Sequence, residues 1–198
     1  TISCLNNLKE MGTAFIMYVD DSKGNLFKAN ENSGAWYQKL ADYGCDWKRD
    51  YVDNNKTIGT FACPSDADTF GWDNSKGQYA HTHYGANCFL LGVGAGKQPA
   101  TLQTVSRHLA SIKSASEAIL FGDSGYRAEP ILHYKEFWGY RHGGRAQNAT
   151  GAAAWSANTS NMPTGRVNFA YIDGHAKNYT STTDLVTRGE NVFLKAGF

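Results

Sequence analysis

The sequence has no run of about 18 apolar residues, so none of its segments reads as a membrane-spanning helix. It also lacks a charge of one sign. Nineteen Lys and Arg stand against 18 Asp and Glu, a net charge of +1 with pI near 7.6. That removes any electrostatic argument for nucleic acid or an anionic membrane surface. No C-x-x-C occurs among Cys4, Cys45, Cys63 and Cys88, so a zinc-ribbon type of site is not indicated. G-x-S-x-G and H-E-x-x-H are both missing, which leaves a hydrolase elbow and a zincin helix without support. Gly92-Val93-Gly94-Ala95-Gly96 is not followed by Lys-Ser/Thr and reads as a turn, not a phosphate loop. No internal repeat is visible. The 198 residues suffice for one domain with a sizeable core, and 13% aromatics with 21 Gly suggest a turn-rich, sheet-rich body.

The first stretch carries the clearest pattern. Leu5, Leu8, Gly12, Phe15, Ile16 and Val19 recur at spacings of three and four, predicting a helix over residues 1–20 with one buried stripe. Asp20-Asp21-Ser22-Lys23-Gly24-Asn25 ends it with turn formers. The pattern is already running at Thr1 and reads as the C-terminal half of a longer helix. Further on, Trp36 to Tyr43 suits a short helix packed by its aromatics. Thr60 to Asp66 reads as a short strand stopped by Pro64, and Tyr84 to Leu91 as a strand. A helical turn is expected within Thr104 to Ser111, and strands at Ala118–Asp123 and Ile131–Trp138. Val167 to Tyr179 predicts a hairpin about Asp173-Gly174, with Val167, Phe169 and Tyr171 facing the N-terminal helix.

Several of these stretches together resemble a known family. Cys4, Asn6, Asn7, Leu8, Lys9, Gly12, Tyr18, Asp20 and Gly24 are similar to the "C-x-N-N-L-K-Q-x-G…Y-x-x-D-x-x-G" segment of prepilin-type proteins, the group that includes the pseudopilins of type II secretion. Phe61-Ala62-Cys63-Pro64-Ser65-Asp66 matches the family's "F-x-C-P-S-D", and Tyr84 to Asn87 its "S-Y-x-x-N". The family's closing motif is a His, nine residues, then Asp-Gly. Here 30 residues lie between His142 and Asp173; removing the 21 of Ala146–Arg166 leaves nine. That piece is rich in Ala, Asn, Ser, Thr and Gly and reads as a surface insertion, because loops absorb added length cheaply.

The resemblance implies an α+β, pilin-like single domain over 1–198, with a long N-terminal helix packed on an antiparallel sheet. It implies a structural subunit of a type II pseudopilus or related filament, anchored in the inner membrane through a hydrophobic half-helix ahead of Thr1, its globular domain extracytoplasmic. The expected partners are other pseudopilin subunits and inner-membrane components of the secretion system. No nucleic acid, catalytic residue or cofactor is expected; some type II pseudopilins carry a structural calcium, whose ligands do not transfer to the loops here. Cys4, Asn6, Asn7, Leu8, Gly12, Tyr18, Asp20, Cys63, Pro64, His142, Asp173, Gly174 and His175 are the motif positions. His142 is expected beside the Asp173-Gly174 turn, holding it by hydrogen bonds.

Two rival readings belong to other classes. Asp123, His142, Asp173 and His175 are of the types that hold metals or move protons, giving a metal-dependent enzyme. Trp72, Trp138 and Trp155 could stack on sugar rings, giving a carbohydrate-binding module. The four cysteines allow three pairings, and the sequence does not choose among these or free thiols.

Overall fold

The computed structural model describes residues 2–31, 34–45, 59–66, 82–97, 99–126, 129–133, 138–143, 165–180, 195 and 197. Helix α1 spans Ile2–Asp21, and no Pro interrupts it. It ends where Lys23 and Gly24 take φ of +54° and +86°, and the Gly24 N–H bonds back to the Val19 carbonyl. Its buried face is Cys4, Leu8, Met11, Gly12, Ala14, Phe15 and Val19. That face is turned from the expected one: Leu5 is half-buried and Ile16 is 47% exposed. Phe15 fixes the rotation by meeting Phe27 and Phe121 edge-on, with centroids 5.3 and 6.2 Å away. Ile16 lies about 100° further round the helix and points outward.

Strands β1 (Asn30–Glu31) and β2 (Gly34–Ala35) form a small antiparallel pair, and α2 (Trp36–Ala41) follows. Trp36, Tyr37 and Leu40 bury α2, as its aromatics predict, and Trp36 stacks on Phe121 at 4.6 Å. The main sheet contains β3 (Tyr84–Asn87), β4 (Ile119–Asp123), β5 (Ile131–Leu132), β6 (Arg166–Tyr171) and β7 (Ala176–Thr180), in the order β5-β3-β4-β6-β7. The fold is therefore α+β, but the sheet is mixed. β4 takes one edge of β3, the chain then returns to its other edge, and β5 runs parallel to β3 there.

Both faces of the sheet are covered, and this corrects the reading of β6. Ala170 and Ile172 pack in the cluster that contains Leu8, Met11 and Phe15. Val167, Phe169 and Tyr171 instead pack on the far side with Phe89, Ile119, Leu132, Trp138 and Tyr140. Small Ala170 lets α1 lie close, while Phe169 and Tyr171 fall on the other face. A strand buried on two faces shows no polar row to reveal which face meets the helix. A register shift between Ile119 and Phe121 puts these two residues on opposite sides of β4 despite their spacing of two.

Three expected strands are shorter or missing. Residues 59–66 form turns and irregular backbone, held because Phe61, Ala62 and Cys63 are buried. Strand β3 ends at Asn87, whose side chain accepts from the N–H groups of Phe89 and Leu90 and starts helix α3 (Cys88–Leu91). β5 covers only Ile131–Leu132, and residues 134–137 lie outside the described ones. The expected helical turn within 104–111 is a 3-10 turn at Leu109–Ser111. The hairpin about Asp173-Gly174 is present: Tyr171 and His175 close it, and Gly174 has φ +86°.

Candidate functional site

Buried polar side chains converge beneath the start of α1. Cys4 comes from the first turn of α1, Cys63 from the 59–66 segment, Asp123 from the end of β4, and Arg141 and His142 from the 138–143 segment. That last segment is pinned by backbone pairing: His142 exchanges both backbone bonds with Arg166, at 3.2 and 2.8 Å. The 59–66 segment is tied to α1 by Asn7, which donates to the Ala62 carbonyl at 2.8 Å and the Tyr84 hydroxyl at 3.3 Å, and by Thr60, which donates to Glu10 at 2.8 Å. His83 Nδ1 accepts the Cys63 N–H at 2.9 Å, which places that ring's proton on Nε2.

His142 Nε2 lies 3.0 Å from Asp123 Oδ2 and 3.9 Å from Cys63 Sγ. Asp123 Oδ2 also accepts the Asn168 N–H at 2.7 Å. Arg141 Nε is 2.9 Å from Asp66 Oδ2, its Nη1 donates to the His83 carbonyl at 2.9 Å, and its Nη2 bonds the Ser124 carbonyl. A ring nitrogen of His142 and the sulfurs of Cys4 and Cys63 all lie within 4.8 Å of one another, and all three residues are buried. Among the described residues this is the one such convergence of His, Cys, Asp or Glu ligand atoms.

The electrostatics single out Cys4. The Cys63 thiol donates to its sulfur, and His142 adds a hydrogen bond and a positive charge; together they outweigh burial and bring Cys4 down to about 3. Burial alone would lower His142, but Asp123 and Cys4 bond it and attract its charge, raising it to about 9. Cys63 is pushed up by donating a hydrogen bond to Cys4, by burial and by the Asp123 charge. These shifts favour a thiolate at Cys4 beside an imidazolium at His142, with the proton between the two sulfurs kept on Cys63. Cys45 and Cys88 are ordinary buried thiols, each held near 12 mainly by desolvation.

Only part of the expected site assembles. Asp123 and His142 meet; Asp173 and His175 do not join them. Those two flank Gly174 in the turn after β6, whereas His142 pairs with Arg166 at the strand's beginning. His142 therefore does not hold the Asp173-Gly174 turn, a correction that follows from β6 running away from it. His175 Nδ1 sits 2.6 Å from Asp173 Oδ1, with side chains 42% and 35% exposed, and its ring stacks on Tyr171 at 4.2 Å. Trp138 is buried against Phe169, so it offers no sugar platform; Trp72 and Trp155 lie outside the described residues. Most of 146–166 also lies outside, but Arg166 is a strand residue and no part of an insertion. Sequence reasoning did not bring Cys4, Cys63 and His142 together. Each stood in a motif segment, but nothing in the spacing said that the segments touch. Comparison of the chain with family models, characterised proteins and solved structures finds no match.

Proposed function

We propose that this chain is the globular part of a prepilin-type subunit, a pseudopilin or a related filament protein whose role is structural. One observation carries the reading: every segment that bears the resemblance meets another one around α1. Cys4 meets Cys63 and His142. Asn7 bonds Ala62 and Tyr84. Gly12 faces Gly174, where an added Cβ would come 3.6 Å from the Gly174 Cα. The buried motif residues are spent on fastening one helix to a sheet and leave no access for a substrate. Three of the four large hydrophobic residues exposed among the described ones, Ile2 at 76%, Ile16 at 47% and Met17 at 50%, lie on α1. In this scheme they face neighbouring subunits, and the preceding half-helix anchors the subunit in the inner membrane before assembly.

The test has two arms. The reading frame ahead of Thr1 should encode a short basic leader and about 20 apolar residues running into α1. A photo-crosslinker at Met17 in the source cells should give a ladder of homotypic adducts in the membrane or sheared fraction. An upstream sequence without an apolar stretch, or crosslinks only to unrelated soluble proteins, would overturn the reading.

A further inference from the structure

We propose that Cys4 and Cys63 form a disulfide that ties the first turn of α1 to the 59–66 segment when the chain folds under oxidising conditions. Of the links open to the four cysteines, the structure favours this one. The two sulfurs lie within 4.8 Å of each other, in residues with no exposed surface. Cys88 is engaged elsewhere, its thiol donating to the Leu132 carbonyl at 3.3 Å. The segments to be joined are already held in register by Asn7 and Thr60, so the link needs little backbone movement. The inference stands apart from the filament reading, since it needs an oxidant and no partner.

The chemistry balances with a small disulfide as oxidant. The Cys4 thiolate attacks one sulfur of the oxidant and expels one thiolate. Cys63 gives up its proton and attacks the Cys4 sulfur of the mixed disulfide, expelling the second. Two electrons pass to the oxidant, which leaves as two thiols. Both sulfurs are shielded in the folded chain, so exchange takes place before the first turn of α1 docks. The approach of α1 to the 59–66 segment then brings Cys4 within reach of Cys63 and closes the link. Cys45 and Cys88, without such a partner, remain thiols.

The full chain, reduced and unfolded, is to be refolded with oxidised and reduced glutathione, then unfolded and alkylated for peptide mapping. The expected product has Cys4 and Cys63 in one crosslinked peptide, two hydrogens lighter than the sum, with Cys45 and Cys88 alkylated. Its melting temperature should exceed that of the reduced chain by about 10 °C, the size expected for closing a long loop in a domain of this size. Cys4→Ser and Cys63→Ser should each lose that increment, and the double variant should lose no more. Should the variants fail to fold, the mapping of the unaltered chain still decides. Alkylation of both Cys4 and Cys63, a link that includes Cys45 or Cys88, or an equivalent of zinc whose removal by a chelator frees both thiols would overturn the proposal.

Discussion

Strand β6 has an Asp–His pair near each of its ends. At its beginning Asp123 and His142 meet at 3.0 Å with no exposed side-chain surface; just past its end Asp173 and His175 meet at 2.6 Å with a third or more of each side chain in water. The shorter contact is the less consequential one. Water screens the exposed pair, whose members are two residues apart in a turn and would meet in any chain that made it. The buried pair joins residues 19 apart in sequence and reaches Cys4, Cys63 and Arg141 as well. Its electrostatics operate in low dielectric, where an unmatched charge is costly. The same two side chains are a framework in one place and a turn ornament in the other.

The strongest way to break this contrast is Asp123→Ala. It leaves His142 without its carboxylate and should cost about 3–5 kcal/mol in denaturant melts, as breaking a buried pair does. A cost near that of an exposed pair would remove the distinction. The helix that roofs the buried end comes next. Leu8→Ala should cost about 2–5 kcal/mol, while Ile16→Ala, on the outward face, should stay within about 0.5 kcal/mol. Equal losses would mean that α1 is rotated from the position described. At the exposed end the backbone outweighs the pair: Gly174→Val should cost about 1–2 kcal/mol through its left-handed φ of +86°, whereas His175→Ala should change stability by less than about 0.5 kcal/mol.

Acid sharpens the contrast further, and its effect depends on the sulfurs. In the reduced chain His142 is raised from 6.5 to about 9, and its contribution is present below 6.5 and lost on the way up. Cys4 is lowered from 9.0 to about 3, and its contribution is present above 9.0 and lost on the way down. Between 6.5 and about 9 the two cancel and stability is flat; below 6.5 it falls with pH. With Cys4 and Cys63 joined, Cys4 no longer titrates and no longer raises His142, so the loss of stability below 6.5 that Cys4 carries in the reduced chain should disappear. Melts of both forms between about pH 4 and 9 check this difference; parallel slopes in the two forms would contradict it.

The legible parts were those set by local rules. The 3.6 period announced α1, the aromatics of 36–43 announced α2, and Asp-Gly with its alternating flanks announced the β6–β7 hairpin. The orientation of β6 was not legible, because Val167, Phe169 and Tyr171 look inward-facing whichever side holds the helix. A bulge in β4 breaks the alternation that would have placed Ile119 with Phe121. The site was legible residue by residue through Asp123 and His142, but its assembly depends on contacts such as Asn7 with Ala62, 55 residues apart, which no periodicity encodes.

The backbone pairing of His142 with Arg166 has a consequence for how the chain can change. Those two residues are fastened face to face, so the stretch between them begins and ends at one spot. The number of residues there is decoupled from the distance it spans. A reporter peptide, an epitope or a whole small domain with neighbouring termini could be spliced into that doorway without re-registering the sheet.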